Sequence, residues 1–154
     1  MEHGPFVLSE IHKYVNACES YSCSPLVRVP GKHDWMIQQA LDQGAHGVIL
    51  PGIETSQDVR DFVEAVKFKP QGHRGFTPHT KAGGFTNINA ETYPLEANDL
   101  TLVGVIIESV VALNNLDSIL EVEGLDIVYF GAYDLSLELN SPGDVFGEEL
   151  IEMI

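Results

Sequence analysis

The sequence has 154 residues, of which 44% are hydrophobic, and a formal net charge of −15. A chain of this length can bury the core of one domain. Its acidity and its eight Lys and Arg residues exclude nucleic acid and anionic membranes as partners. No apolar run approaches the roughly 20 residues of a membrane span, so we expect a cytoplasmic protein.

The first part of the chain predicts helices alternating with short strands. Apolar residues recur at intervals of three and four in the helical segments, while the strands are short unbroken apolar runs. The second helix ends at a glycine, which is typical of a helix C-terminus. The predicted elements are a helix over 7–20, a strand over 26–30, a helix from Asp34 to Gly44, a strand over 47–51 and a helix capped by Thr55 or Ser56.

The segment 70–99 has no apolar periodicity and contains several glycines and prolines. It is longer than ordinary connections, and irregular loops of such length in a compact domain tend to be functional. We therefore predict one long irregular loop over 70–99. It is either an active-site or interface segment or a poorly ordered insertion.

Two predicted strands in the last part of the chain end close to an acid. The strand 102–107 is followed directly by Glu108, and the strand 126–130 is followed by Gly131 and then Asp134. A helix over 110–120 lies between these strands, and a final helix begins near Gly147. Ligands of parallel α/β sheets are held at the carboxyl ends of strands, so this pair of acids is the first candidate for chemistry.

Strands that are continuously apolar and alternate with helices indicate parallel βαβ units. Four such strands form either a small doubly wound sheet or half of a (β/α)8 barrel. We favour an α/β fold that is a partial TIM barrel, with about four parallel strands and flanking helices, because a complete barrel needs about 250 residues. Residues 1–154 would then form a single partial barrel domain.

Four polar residues lie at or just beyond predicted strand ends, namely His3, Arg28, Glu108 and Asp134. Two carboxylates at strand ends suit Mg²⁺ or Mn²⁺, which take one or two protein carboxylates together with water and substrate oxygens. The alternative for each acid is a solvent-facing position without function. Arg28 lies in an apolar strand, where it needs an anion or a structural carboxylate as partner.

The remaining signals favour metal-dependent chemistry over other routes. Free histidine has a pKa near neutrality, which suits His3 to proton transfer, although a residue so near the terminus could equally be exposed and idle. No lysine lies in a predicted strand where it could form a Schiff base. The sequence also lacks zinc-binding spacing, a Walker loop and a Gly-x-Gly-x-x-Gly motif.

The motifs around these residues resemble the HpcH/HpaI family of class II pyruvate aldolases, which belongs to the phosphoenolpyruvate/pyruvate barrel superfamily. The resemblance covers essentially the whole chain and corresponds to barrel strands three to six. The motifs that carry it are Glu2-His3-Gly4-Pro5, Val27-Arg28, Val48-Ile49-Leu50-Pro51, Ile107-Glu108-Ser109 and Gly131-Ala132-Tyr133-Asp134-Leu135-Ser136.

The resemblance implies a role for each motif residue in cleaving a 4-hydroxy-2-oxo acid to pyruvate and an aldehyde. Glu108 and Asp134 would bind a divalent metal, namely Mg²⁺, Mn²⁺ or Co²⁺, which would chelate the 2-oxo acid. Arg28 would stabilise the enolate oxygen, and the backbone amides around Tyr133 and Asp134 would hold the pyruvate carboxylate. His3 would serve as acid and base, and Asp42 would help to orient a histidine across a subunit boundary.

The chain also departs from the family pattern. Ile106 stands where a glutamine is common in the family, and the first two strands and the last two strands of the barrel are missing. We therefore expect a chain truncated at both ends, with two free sheet edges and an apolar face that a homo-oligomer or the missing barrel part would cover. Two alternatives stay open: an inactive remnant that binds metal or a full-length homologue, and a lyase of the citryl- or malyl-CoA type.

Overall fold

The computed structural model describes residue 4 and residues 7–153. One sheet of four parallel strands, in the order β1-β2-β3-β4, forms the centre of the molecule. Each strand therefore lies beside the next one in the chain, as βαβ units require. The strands are β1 (Leu26–Arg28), β2 (Gly47–Leu50), β3 (Leu102–Ile107) and β4 (Ile127–Phe130). The predicted α/β class with four parallel strands is confirmed.

Helices connect the strands and cover one face of the sheet. A 3-10 turn at Leu8–Glu10 leads into the first helix, and a second 3-10 turn lies at Gly84–Thr86. The helices are α1 (Ile11–Ser20), α2 (Asp34–Asp42), α3 (Ser56–Val66), α4 (Tyr93–Leu100), α5 (Val110–Asn114), α6 (Leu116–Leu120), α7 (Ala132–Glu138) and α8 (Glu148–Met153). Within the described residues, none of them is long and apolar enough to cross a membrane.

The prediction of an irregular loop over 70–99 needs a correction, because α4 occupies its last part. Pro94 lies in the first helical turn, where a missing amide hydrogen has no cost. The helix is held from outside: the Asn98 side chain bonds both backbone groups of Phe68, and the Lys67 Nζ donates to the carbonyls of Asn98 and Thr101. These tertiary contacts stabilise α4, which was missed because its own sequence has no apolar periodicity.

The helix predicted over 110–120 is in fact two helices, which meet at Asn115. Asn115 departs from helical geometry, with φ −101° and ψ 7°. Its side-chain amide donates a hydrogen bond of 2.9 Å to the carbonyl of Glu54, in the loop that follows β2. The break therefore joins this helical segment to the neighbouring βα connection.

The N-terminus of α3 is fixed by a capping box, and of the two predicted caps, Thr55 and Ser56, the structure selects Thr55. The Thr55 hydroxyl accepts from the Asp58 amide, while the Asp58 carboxylate accepts from the amides of Glu54 and Thr55. Lys32, in the loop after β1, donates to the same carboxylate. Asp58 thus ties the loops that follow β1 and β2 to each other.

The two faces of the sheet differ in how they are covered. The helix-covered face carries the core, and its residues Val48, Leu50, Val103, Val105 and Ile107 are all almost completely inaccessible to solvent. We call the other side the open face, which is formed by Leu26, Arg28, Ile49, Leu102, Ile106, Ile127 and Tyr129.

The open face is partly accessible, and both sides of the sheet end in free edges. Tyr129 is 63% exposed and Leu26 is 36% exposed. In the described part of the chain, no further strand lies beside β1 or β4. The structure thus shows the two edges and the uncovered apolar face that the sequence led us to expect.

Candidate functional site

Arg28 and Glu108 share the open face because of the strand register. Arg28 pairs with Ile49, which in turn pairs with Gly104 on β3, and residues paired in this way project to the same face. Glu108 lies four residues after Gly104, so the alternation of side chains returns it to that face. The sheet therefore presents one guanidinium and one carboxylate on its side without helices.

Glu108 lies between the ends of β2 and β4. Its Oε1 accepts a hydrogen bond of 2.7 Å from the backbone amide of Gly52, which follows β2. On its other side is Gly131, which directly follows β4 and whose amide donates to the Ile107 carbonyl at 2.8 Å. The carboxylate is thus held at the carboxyl edge of the sheet, where parallel α/β proteins place their ligands.

Gly131 makes room for Glu108 because it has no side chain. A Cβ at this position would lie 2.7 Å from the Cβ of Glu108 and 3.3 Å from Cγ2 of Ile106. Both distances are shorter than ordinary van der Waals contacts. The sequence showed this glycine only as a strand stop, while the structure gives it a second role as the wall of the Glu108 site.

Asp134 lies in the first turn of α7, directly after β4, and is exposed. Two neighbours anchor the helix: Leu135 is fully buried, and the buried Ser136 Oγ donates to the Tyr133 carbonyl and accepts from the Gly143 amide. Tyr133 itself is 70% exposed. The helix therefore holds its buried side in the core while Tyr133 and Asp134 remain accessible at the carboxyl edge.

Arg28 is the last residue of β1 and is half-buried. It lines a groove of about 440 Å³ that runs between α1 and the free edge of β1. Apolar residues form most of the groove, with Ile11 and Val15 from α1 and Leu26 from β1. Arg28 therefore lies where the open face meets the edge of the sheet.

Asp42 lies apart from these residues. It ends α2, five residues before β2 begins, so it belongs to the amino-terminal side of the sheet. Its Oδ1 accepts a hydrogen bond of 2.9 Å from Nη2 of Arg74, whose side chain is only 3% exposed. The structure does not bring Asp42 to Glu108 of the same chain, and its role across a subunit boundary stays a prediction.

The environment of Arg74 was not predicted from the sequence. Its guanidinium carbon lies 4.5 Å from the ring centroid of Phe68, and its Nε is buried without a hydrogen-bond partner. The rings of Phe68, Phe76 and Tyr93 pack against one another with centroids 5.7–5.9 Å apart. Burial among these groups raises the pKa of Tyr93, although Arg74 opposes the rise.

The other predicted site residue, His3, lies outside the described residues. Among those that are described, no group of three or more His, Cys, Asp and Glu residues is close enough to hold a metal ion. Glu108 and Asp134 both follow strands at the carboxyl edge, and their joint role as metal ligands stays a prediction. Oxygen donors in this small number are typical of Mg²⁺ or Mn²⁺ sites and not of zinc sites.

A family model and curated relatives both match nearly the whole chain. A family model described as HpcH/HpaI aldolase/citrate lyase matches residues 1–154. The 2-keto-3-deoxy-L-rhamnonate aldolase of Klebsiella pneumoniae is 35% identical over 144 residues, which are 93% of this chain and 53% of that protein. The enzyme of the same name from Salmonella gallinarum is 34% identical over 154 residues, covering 99% of this chain and 57% of the relative.

Solved structures share the fold of this chain over almost its whole length, but each of them is longer. The HpcH/HpaI aldolase from Desulfitobacterium hafniense superposes with a TM-score of 0.92 at 33% identity, over 99% of this chain and 58% of that one. The citrate synthase SbnG superposes with a TM-score of 0.87 at 29% identity, again over 58% of its length. The chain thus spans just over half the length of these relatives, and its sheet corresponds to part of a TIM barrel.

Proposed function

The chain belongs to the HpcH/HpaI aldolase/citrate lyase family, and from this premise we propose that it works as a metal-dependent aldolase. The reaction is the cleavage of a 4-hydroxy-2-oxo acid to pyruvate and an aldehyde, or its reverse. The observation that carries the proposal is the joint position of Arg28 and Glu108 on the open face at the carboxyl side of the sheet.

The names of the curated relatives support this substrate class. A 2-keto-3-deoxy-L-rhamnonate has a keto group at C2, a methylene at C3 and a hydroxyl at C4, so it is itself a 4-hydroxy-2-oxo acid. We therefore take a 2-keto-3-deoxy sugar acid as the first substrate to test.

The residues present suit a divalent metal of the Mg²⁺ or Mn²⁺ type, or Co²⁺. Glu108 has one oxygen fixed by the Gly52 amide, and the absent side chain of Gly131 leaves space beside the carboxylate. Asp134 is exposed on the helix that follows Gly131. When bound to these two carboxylates, the metal would act as a Lewis acid toward the keto oxygen of the substrate.

Arg28 would stabilise negative charge on the C2 oxygen of the substrate. Breaking the C3–C4 bond leaves an electron pair that is delocalised onto this oxygen, so the guanidinium interacts more strongly with the transition state than with the ground state. Arginine is protonated at every relevant pH and offers paired donors, which a lysine does not. Its fixed place at the end of β1 removes the need to reorganise during the reaction.

The pyruvate carboxylate would lie against the backbone amides around Tyr133 and Asp134. Burial of Leu135 and Ser136 keeps that turn in a fixed position, so its amides are already oriented before substrate binds. His3 would take the proton from the C4 hydroxyl during cleavage and return one to C3 of pyruvate, directly or through water. Asp42 of a neighbouring subunit would orient that histidine.

The direct test is release of pyruvate from 2-keto-3-deoxy-L-rhamnonate by the purified chain with Mn²⁺. We expect activity that EDTA abolishes and that Arg28→Ala lowers by about 100-fold or more. Arg60→Ala, at an exposed position of α3, is the matched control and should retain full activity. Metal binding without pyruvate release from a panel of 4-hydroxy-2-oxo acids would instead favour an inactive remnant of the barrel. Cleavage of a citryl- or malyl-CoA thioester would favour a lyase of the citryl- or malyl-CoA type.

A further inference from the structure

The two cysteines of the chain lie in the last turn of α1 and in the turn that follows it. The Cys23 amide donates a hydrogen bond of 2.9 Å to the Cys18 carbonyl, and inside this bond the Ser22 amide donates one of 3.0 Å to the Glu19 carbonyl. Ser22 has a φ of 56°, in the left-handed region. Two nested bonds around a left-handed residue form the Schellman motif, which closes many helices.

The motif places the cysteines at the two positions whose side chains meet. In a Schellman motif, the residue that donates the outer hydrogen bond commonly contacts the residue that accepts it, and here these are Cys23 and Cys18. Standard bond lengths along the path through this hydrogen bond limit the separation of the two Cα atoms to about 6.8 Å, which a disulfide spans. Both thiols are free. The backbone thus holds two free thiols within reach of a disulfide.

Both arms of this motif are held by the fold. On the helix side, Ile11 and Val15 of α1 are buried in the core. On the other side, Pro25 is buried, and its carbonyl accepts a hydrogen bond of 2.9 Å from the His46 amide, just before β2. The folded chain therefore keeps the two cysteines together, whereas the unfolded chain lets them separate.

The two thiols differ in their access to solvent. Cys23 is exposed, and its Sγ lies 3.6 Å from the Tyr21 carbonyl, to which it donates a weak hydrogen bond. Cys18 is half-buried. Because thiol–disulfide exchange depends on access to the sulfur, Cys23 is suited to react first with a molecule from solution and Cys18 to react second.

We propose that Cys18 and Cys23 are a reversible oxidation site, at which a small disulfide of the glutathione type is exchanged for an intramolecular one. The Cys23 thiolate attacks one sulfur of oxidised glutathione, whose S–S bond breaks and releases a first glutathione thiolate. The Cys18 thiolate then attacks Sγ of Cys23 in the mixed disulfide and releases the second. Two protein thiols are oxidised, one glutathione disulfide is reduced to two thiols, and the two protons pass through water to the leaving thiolates.

The product would join the last turn of α1 covalently to the connection that leads into β1. The cross-link closes the same contact that the motif already makes, so the folded state should favour it over the unfolded state. By linkage, oxidation would then stabilise the fold by the same factor. This proposal does not depend on the aldolase reaction.

Equilibration with set ratios of reduced and oxidised glutathione, followed by acid quenching and mass spectrometry, tests the proposal. We expect the native chain to lose two hydrogen atoms and to retain no glutathione. The equilibrium constant for this change should be at least about tenfold higher in the native state than in urea, which corresponds to about 1.4 kcal/mol in the free energy of unfolding. Cys18→Ser should instead retain one glutathione on Cys23.

The matched control moves one thiol around the helix without changing the composition of the chain. Ala17→Cys combined with Cys18→Ala turns this thiol by about 100°, and Ala17 is exposed, so the fold should tolerate the exchange. In urea the control and the parent should agree within about twofold, because the spacing changes by one residue. In the native state the constant of the control should be about tenfold lower than that of the parent.

Three results would each overturn the proposal. They are a native constant of the parent no higher than the constant in urea, glutathione retained on the parent at equilibrium, and a control that matches the parent in the native state. Any of them would leave Cys18 and Cys23 as the apolar contact that closes the motif.

Discussion

The backbone amide of Gly52, just after β2, donates a hydrogen bond of 2.7 Å to Oε1 of Glu108, just after β3. The two residues are 56 positions apart in the chain, and they meet because β2 and β3 are parallel neighbours that end at the same edge. The bond satisfies one carboxylate oxygen from the protein itself. It therefore fixes the orientation of Glu108 before any ligand arrives.

Metal binding should depend on both carboxylates at the carboxyl edge. Isothermal titration with Mn²⁺ is expected to show one site in the parent chain, and Asp134→Ala or Glu108→Gln should abolish it, since each removes one of the two proposed carboxylate ligands. Asp134 is exposed, so its loss should leave the fold intact. Asp117→Ala, which removes an exposed acid of α6, is the control and should bind as the parent does. Unchanged binding in Asp134→Ala would remove this residue from the site.

Gly131→Ala should disturb Glu108 directly. The added Cβ would lie 2.7 Å from the Cβ of Glu108, so one of the two backbones must move. We expect the free energy of unfolding to fall by roughly 1–3 kcal/mol and Mn²⁺ affinity to fall with it. Gly31→Ala is the matched control, because its Cβ would meet no atom closer than 3.8 Å. Equal stability of the two variants in urea unfolding would contradict the steric argument.

Asp58 should make the stability of the chain fall in acid. Burial alone would raise the pKa of Asp58, but hydrogen bonds from Lys32 and from the backbone of Glu54 and Thr55 outweigh it and lower the pKa from 3.8 to about 2. As the pH falls, the unfolded chain takes up this proton first. The stabilisation is therefore complete above the unfolded pKa and is lost as the pH falls from about 5 to about 2.

The measurement compares urea unfolding of the parent and of Asp58→Asn across this range. At neutral pH the variant should be about 1–2 kcal/mol less stable, because it loses hydrogen bonds to a charged carboxylate. The difference should shrink toward the acid end. Asp61→Asn, on the same helix, should follow the parent curve. A difference that stays constant with pH would show that the Asp58 charge is not the cause.

Arg74→Ala should destabilise the fold strongly. The substitution removes the 2.9 Å hydrogen bond to Asp42 and the packing on Phe68, and it leaves the Asp42 carboxylate without its buried partner. We expect a loss of roughly 3 kcal/mol in the free energy of unfolding. Lys13→Ala breaks an ion pair whose groups are both exposed and should have no measurable effect. Equal unfolding temperatures of the two variants would show that the buried ion pair stabilises the fold no more than the exposed one does.

Much of the fold was readable from local pattern. The strands β2, β3 and β4 were predicted because each is an unbroken apolar run, and α3 was placed because Thr55 and Ser56 precede a regular apolar face. By contrast, α4 was missed because its helix depends on Lys67 and Asn98 rather than on its own periodicity. Burial also lowers the pKa of Lys67, against the nearby charges of Asp126 and Asp99, and nothing in the sequence indicated that burial.

The sequence by itself determined that Glu108 and Asp134 follow strands and that Arg28 lies in one, because a strand and its end are local features of the chain. Only the tertiary structure decided that Arg28 and Glu108 share a face, since this depends on the register between strands. It also separated Asp42 from that face and paired it with Arg74. Contacts between residues distant in the chain are set by packing, which local sequence pattern does not encode.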